Sequence, residues 1–212
     1  HDDEVAHGDE PEEGEAYGEG YMAPPAHRLR AGTLLIANTN LFEPTFRRSV
    51  IFIVEHNDGG TLGVVLNRPS ETAVYNVLPQ WAKLAGKPKT MFVGGPVKRD
   101  AALCLATLRA GVSIDGVKGL RHVAGRMAMV DLDAEPDDIA PLVEGIRVFA
   151  GYSGWTIGQL EGEVERDDWI VLSALPSDVL TDASEDLWAK VLRRQPLPLS
   201  LLATHPIDVS RN

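Results

Sequence analysis

Short blocks of apolar and β-branched residues recur along the chain and predict strands. Thr33–Ala37 forms one such block, and residues 49–55 form an unbroken one typical of a strand buried on both faces. An Asn-Asp-Gly-Gly turn signal at residues 57–60 follows, and residues 61–67 predict a partner strand, so that the two form a β-hairpin. Further strands are predicted at Thr90–Val93, residues 126–131 and residues 169–174.

Helical spacing of apolar residues is found in the middle of the chain. Residues 72–85 carry an apolar stripe, which Pro79 is expected to bend or split. Residues 139–146 keep helical spacing, although a proline and a glycine within them weaken a helix. The composition of residues 101–108 suits a helix and their position suits a strand, so both interpretations remain open.

Two helices are predicted in the C-terminal third. The first covers residues 156–165 and opens on the capping-box spacing of Thr156 and Gln159. The second is opened by a capping box of Asp182 and Glu185 and carries an apolar side before a proline ends it. Strands outnumber helices and follow no regular alternation, which predicts a single α+β domain.

Charge is concentrated at the N-terminus. The 212 residues have a net charge of −11, and residues 1–22 hold nine acids and no Lys or Arg, which leaves −2 for the rest. We predict that residues 1–31 are a disordered tail and that residues 32–212 form the domain. The tail is either a solubilising extension or a lure for a basic partner. No signal peptide or membrane-spanning run is recognisable, so we expect a cytoplasmic protein.

Residues 151–155, Gly-Tyr-Ser-Gly-Trp, are close to the G-x-S-x-G nucleophile elbow. A possible strand before them, a helix after them and the later His205 would suit a serine hydrolase using Ser153. Trp155 stands where the motif has glycine, and it would crowd the sharp turn. The alternative is that Ser153 helps to cap the helix while Trp155 packs on the core.

Polar pairs end two consecutive strands. Glu55 and His56 lie at the turn of the predicted hairpin, whereas Asn67 and Arg68 lie at its far end. Each pair is either half of a polar site or a hydrogen-bonded strand end, in which case Arg68 pairs with an acid.

Glycines offer a second kind of site. Gly94 and Gly95 could form a backbone nest for a small anion, and so could the loop before Ile157. Neither carries a phosphate-binding signature, and plain turn geometry is the alternative.

Metal and cofactor sites are not predicted. The chain has one cysteine, Cys104, which excludes a cysteine cluster. The apolar residues beside it in the sequence predict an inert buried thiol. The acidic run at residues 131–138 lacks the glycine and closing glutamate of a calcium loop. Four histidines lie far apart in the sequence and lack the paired spacing of a zinc site: His27, His56, His122 and His205.

Nucleic-acid binding is not expected either. The basic pairs at residues 47–48, 98–99 and 193–194 are short and scattered, and no helix-turn-helix, zinc finger or RNA-binding motif is present. Direct DNA binding would require folding to gather these pairs, because phosphate contacts need clustered Lys and Arg.

Short segments along the chain form a recognisable series by their order and number: residues 32–37, 43–50, 55–57, 63, 67–69, 94–97, 151–155 and 158–163. Together they resemble the bacterial YqgE/AlgH family over residues 32–212. The resemblance implies a cytosolic bacterial α+β domain of twisted, mainly antiparallel or mixed β-sheet packed with several helices. It supplies no established activity, and the family's transcriptional-regulator label implies an indirect role because no DNA-binding motif accompanies it.

We therefore predict a protein that binds a partner or a small ligand, rather than an enzyme, through loops gathered at strand and helix ends. A serine hydrolase and a DNA-binding regulator are the alternatives. The residues predicted for the binding surface are Glu55, His56, Asn67, Arg68, Gly94, Gly95, Tyr152, Ser153, Trp155 and Gln159.

Overall fold

A curled, mainly antiparallel sheet is the frame of the protein, and short helices pack on it. The computed structural model describes residues 28–204, so most of the predicted tail, together with His27 and His205, lies outside the described residues. This architecture confirms the predicted α+β class. Within the described range, no helix has the length and apolar character needed to cross a bilayer.

Within residues 28–204, ten strands and four α-helices make up this frame. The strands are β1 (Thr33–Ala37), β2 (Val50–Asn57), β3 (Gly60–Val65), β4 (Pro69–Ala73), β5 (Thr90–Val93), β6 (Val97–Leu108), β7 (Leu120–Ala124), β8 (Met127–Val130), β9 (Val143–Trp155) and β10 (Trp169–Ser173). The α-helices are α1 (Val74–Val77), α2 (Pro136–Ile139), α3 (Gln159–Glu165) and α4 (Leu187–Arg193). Four 3₁₀ segments add Pro79–Leu84, Ala140–Leu142, Pro176–Asp178 and Leu199–Thr204.

The long strand β9 joins the parts of the sheet. Neighbouring strands follow the order β10-β1-β2-β3-β9-β6-β8-β7, while β5 pairs with β4 on one side and runs parallel to β9 on the other. From Ser153 onward, β9 leaves β6 and pairs with β3. Gly151 marks the change with a φ of +72°, and a Cβ there would lie 2.7 Å from the Gly95 carbonyl oxygen. The close approach of the two backbones therefore needs glycine.

Both faces of the central strands are buried. Successive side chains of a strand point to opposite faces, and in β1 Leu34 and Ile36 join the apolar cluster that includes α4, whereas Leu35 joins the cluster that includes Leu160 of α3. The unbroken apolar block at residues 49–55 has the same cause, since Val50–Val54 are all buried. The prediction of a doubly buried strand and hairpin is confirmed.

One helix prediction is wrong, and one alternative that the sequence left open is now decided. Residues 139–146 do not form a helix, because α2 ends at Ile139 and β9 begins at Val143. A strand buried on both faces and a buried helix have similar apolar content, so spacing could not separate them. Residues 101–108 belong to strand β6, which settles the alternative left open.

Helix caps also differ from the prediction. Asp186, not Asp182, caps α4, because its Oδ1 accepts a hydrogen bond from the Ala189 N–H at 3.1 Å. Asp182 instead accepts from the Ser184 N–H at 3.0 Å and shapes the turn before the helix. Farther back, the Gln159 Oε1 accepts from the Thr156 N–H at 3.1 Å, which is one of the two bonds of the predicted capping box, although α3 begins only at Gln159.

A buried arginine ties distant segments to β9. Arg147 is 1% exposed, and its guanidinium lies 4.1 Å from the centre of the Phe92 ring. It bonds no carboxylate; instead it donates only to backbone oxygens, and burial lowers its pKa to about 10. We call this set the Arg147 network; its acceptors are the carbonyls of Gly86 (3.0 Å), Lys87 (3.3 Å), Pro88 (3.1 Å), Val179 (3.4 Å) and Thr181 (3.0 Å).

The Arg147→Met variant tests the energetic weight of this network. Methionine has similar bulk but leaves the five carbonyls without their donor, so we expect the free energy of unfolding to fall by about 3 kcal/mol or more. Arg147→Lys should also lose stability, since one ammonium cannot reach all five acceptors. Urea unfolding followed by circular dichroism measures both. The exposed Arg109→Met is the control, expected within about 0.5 kcal/mol of wild type; an equal effect at both positions would contradict the prediction.

Candidate functional site

The structure divides the ten predicted residues into two groups. The register of the β2–β3 hairpin places residues 55–56 near the turn and residues 67–68 beyond its far end, as the sequence predicted. The group near the turn is Glu55, His56, Trp155 and Gln159. The group at the far end and behind it is Asn67, Arg68, Gly94, Gly95, Tyr152 and Ser153. The ten therefore do not meet in one cleft, and their role in binding stays a prediction.

Polar side chains near the turn contact side chains of β3, β7 and α3. His56 Nδ1 lies 2.6 Å from the Thr61 Oγ1, and its Nε2 lies 3.5 Å from the Glu161 Oε1 of α3. Glu55 Oε1 lies 3.8 Å from a guanidinium nitrogen of Arg121 in β7. These contacts link α3 and β7 to the hairpin.

Trp155 packs in the core below α3, as the alternative interpretation of the Gly-Tyr-Ser-Gly-Trp segment predicted. Its ring is 7% exposed and meets Trp169 edge to face, with 6.3 Å between ring centres. The Glu163 carboxylate accepts hydrogen bonds from both indole N–H groups, at 3.3 and 3.2 Å. This shared acceptor satisfies two buried donors with one half-buried acid.

Ser153 does not stand on a nucleophile elbow. Residues 151–155 are the end of strand β9, and α3 begins four residues after Trp155. The Ser153 side chain is 1% exposed, and its Oγ donates a hydrogen bond to the Gly94 carbonyl at 3.2 Å. It is paired within the sheet with Gly63, so it does not cap α3 either. The geometry gives no support to a serine nucleophile.

Gly94 and Gly95 hold the start of β6 against β9. The Gly94 carbonyl accepts from the Val65 N–H at 2.9 Å as well as from Ser153. At Gly95, where φ is +157°, a Cβ would lie 2.2 Å from the carbonyl carbon of Tyr152. The two glycines thus permit a close backbone contact, and Gly95 also borders a cavity.

This cavity, which we call the Arg68 cavity, has a volume of about 400 Å³. Two arginines line it, Arg68 and Arg99, together with the hydroxyl-bearing Thr45. Its lining contains no aspartate or glutamate. The remaining walls are Val65, Pro69, Val93, Gly95 and Pro96. The cavity is therefore positively charged, with valine, proline and glycine residues in the rest of its walls.

The Arg68 guanidinium is only partly satisfied by the protein. One terminal nitrogen donates to the Arg47 carbonyl at 2.8 Å, whereas the buried Nε has no hydrogen-bond partner in the described chain. Burial lowers the pKa of Arg68 from its ordinary value. The expected pairing of Arg68 with an acid is wrong, because its bond goes to a backbone oxygen.

Neighbouring polar groups set the position of this arginine. Asn67 accepts from the Val50 N–H at 3.0 Å and donates to the Arg48 carbonyl at 2.9 Å, which fixes the loop that carries the Arg68 acceptor. Across the cavity, the exposed Arg99 side chain makes no hydrogen bond or ion pair within residues 28–204. Folding thus brings Arg99 and Arg68 together from sequence positions that looked scattered.

Other candidate chemistry is weak in the part of the chain that the structure describes. No group of three His, Cys, Asp or Glu side chains there lies close enough to hold a metal ion. Cys104 is 1% exposed, and burial raises the pKa of its thiol far above the ordinary value. The predicted inert thiol agrees with this environment.

The fold and the cavity define the class of protein: an α+β half-barrel domain with an arginine-lined cavity at one end of its central hairpin. The AlgH-like family model matches residues 34–200, and the chain belongs to this family. The resemblance to the YqgE/AlgH family seen in the sequence is thereby confirmed.

Relatives of the chain are close in both sequence and structure. A UPF0301 protein of Mycobacteroides abscessus is 99% identical over 208 residues, covering 98% of this chain and all of that one. The UPF0301 protein ML0028 of Mycobacterium leprae is 82% identical, covering 92% of this chain and 96% of its own.

Two solved structures share the fold. The crystal structure of DIP2367 from Corynebacterium diphtheriae is 41% identical with a TM-score of 0.82, and the match covers 84% of this chain and 94% of that one. The solution structure of AlgH from Pseudomonas aeruginosa is 27% identical with a TM-score of 0.61, and the match covers 88% and 98%.

The reactivity of Cys104 follows from its burial. We expect a disulfide reagent such as dithionitrobenzoate to leave the native thiol unmodified at pH 8 and to react completely once urea unfolds the chain, since the thiolate is the reactive form. Absorbance of the released chromophore measures both rates. Fast labelling of the native protein would contradict the prediction.

Ser153 is expected to be inert towards serine-hydrolase probes. A fluorophosphonate should give no covalent adduct by mass spectrometry, because the Oγ is buried and donates to a carbonyl. Ser153→Ala should lower the free energy of unfolding by about 1 kcal/mol, the value of one hydrogen bond. A probe adduct on Ser153 would instead revive the hydrolase interpretation.

Proposed function

We propose that this protein binds a small anionic ligand in the Arg68 cavity. The observation that carries the proposal is the pair Arg68 and Arg99, which lines a cavity without an aspartate or glutamate in its walls. The cytoplasmic location and the indirect regulatory role implied by the family resemblance belong to the same proposal. Neither requires direct contact with DNA.

Unsatisfied donors favour an anion over a neutral ligand. A guanidinium presents its N–H groups in a fixed fork that matches carboxylate and phosphate oxygens. Within residues 28–204 only one terminal nitrogen of Arg68 has a hydrogen-bond acceptor, the Arg47 carbonyl. An anionic oxygen in the cavity would bond the remaining terminal N–H groups of Arg68 and would balance the charge of Arg99.

The walls of the cavity support a preformed site. The backbone N–H groups of Val65 in β3 and Val93 in β5 donate hydrogen bonds to the carbonyls of Gly94 and Arg68. Pro69 and Pro96 have restricted backbones. A site that is already in its binding geometry avoids part of the ordering cost of association. A volume of about 400 Å³ lies within the usual range for small-molecule sites.

Titration of the full chain with inorganic phosphate and with succinate tests this function. We expect shifts of backbone amides near Gly95 in ¹⁵N–¹H spectra that sodium chloride of equal ionic strength does not produce. In Arg99→Gln, the dissociation constant should rise about tenfold, because a hydrogen bond to a charged group is lost.

Arg109→Gln is the matched control. It removes the same charge from an exposed position that does not line the cavity, and its affinity should equal that of wild type. Absence of shifts near Gly95 with either anion, or an equal loss of affinity in both variants, would overturn the proposed function.

A further inference from the structure

A second cavity adjoins the first and shares Arg68 with it. We call it the mixed-charge cavity; its volume is about 280 Å³. Arg47 and Arg48 line it beside Arg68, and the segment that leads into α4 lines it with carboxylates. These acids are Asp182, Glu185 and Asp186. Unlike the Arg68 cavity, this one presents both signs of charge.

The three acids differ in what already occupies them. Asp186 is committed, since its Oδ2 lies 3.1 Å from Arg48 while its Oδ1 caps α4. Glu185 lies 3.5 Å from the Lys190 ammonium, in an exposed pair of little energetic weight. Asp182 makes no ion pair within residues 28–204; it accepts only from Ser184.

Asp182 stays ionised in this position. The hydrogen bond from the Ser184 backbone N–H, with the positive charges of Arg147 and Lys87 nearby, holds the pKa of this carboxyl below its ordinary value. Asp182 therefore places a negative charge at the mixed-charge cavity. Arg68 and Arg99 place two positive charges at the Arg68 cavity, whose lining holds no acid, and Arg68 borders both cavities.

We propose that the ligand is an ampholyte, with its anionic group between Arg68 and Arg99 and a cationic group beside Asp182 and Glu185. The inference rests on the proposed function of the Arg68 cavity and names the class of molecule that the site accepts. A small molecule with an acidic head and an amine tail has charges that complement both cavities.

The same charge pattern acts against other ligands. A polyanion that continued past Arg68, such as a nucleic-acid strand, would bring a phosphate against Asp182 and Glu185. Like charges placed together in a binding site reject a ligand as effectively as good contacts select one. Ligands with cationic groups alone would in turn meet the arginines of the Arg68 cavity.

Aminoalkyl phosphates with two to six carbons, each compared with the alkyl phosphate of the same length, test the inference on the full chain. Isothermal titration calorimetry gives the two affinities for every length. We expect the amine to tighten binding by about threefold or more at the length that spans the two cavities, the effect of a partly exposed ion pair.

Two variants separate the two cavities. Asp182→Asn keeps an oxygen for the Ser184 N–H but removes the charge, so it should reduce the preference for the amine, of which Glu185 keeps a part, and leave the alkyl phosphate unaffected. Asp115→Asn, at an exposed position outside both cavities, should retain the preference. Arg99→Gln should weaken both members of every pair by the same factor.

Each outcome decides one of the two claims. Equal binding of amine and alkyl compounds at all lengths would overturn the ampholyte inference while leaving the anion-binding function in place. Absence of binding by any phosphate would overturn both. An undiminished amine preference in Asp182→Asn would also overturn the inference, because the cation would then lie elsewhere.

Discussion

The Arg147 network holds in place the end of the protein that carries both cavities. A guanidinium in the sheet interior has no carboxylate bonded to it, so backbone carbonyls supply its acceptors. Those carbonyls belong to two segments distant in sequence, residues 86–88 and residues 179–181, which the arginine joins to β9. An unpaired buried charge is expensive, so neither segment can move away without a large loss of stability.

Both cavities depend on this network. Thr181, one of its acceptors, is followed directly by Asp182, so the network sets the position of the acid wall of the mixed-charge cavity. On the other side, Arg147 lies over Phe92, and the next residue, Val93, lines the Arg68 cavity. One buried charge thereby positions walls of two sites that lie on different elements.

Sequence patterns could predict those parts of the fold whose cause is local. Uninterrupted apolar blocks identified the buried strands because burial on both faces leaves a plain compositional trace, as at Val50–Val54. The same reasoning fails at residues 139–146, because strand β9, which begins at Val143, is as rich in apolar residues as a buried helix would be. Apolar spacing alone does not single out Arg147. A charged residue among the apolar residues Ile146, Val148 and Phe149 nevertheless indicates a buried polar group.

The candidate site was only half predictable for a different reason. Arg68 and the Gly94-Gly95 pair were found because each stands at a strand end. In the sequence, Arg99 belongs to one of several basic pairs scattered along the chain. Its approach to Arg68 arises only when the chain folds back through β4, β5 and β6. Contacts of that kind follow from sheet topology and leave no mark in local spacing.

Two arginines of this fold show how structural and binding roles can be told apart. Arg147 and Arg68 both have a pKa lowered by burial, so desolvation does not separate them. Arg147 has five acceptors and is closed off from solvent, whereas Arg68 has one acceptor, a buried Nε without a partner and a cavity on either side. Within residues 28–204 the fold thus supplies an acceptor for every nitrogen of one guanidinium and for only one nitrogen of the other. This difference supports the proposed binding role for Arg68 over a structural one.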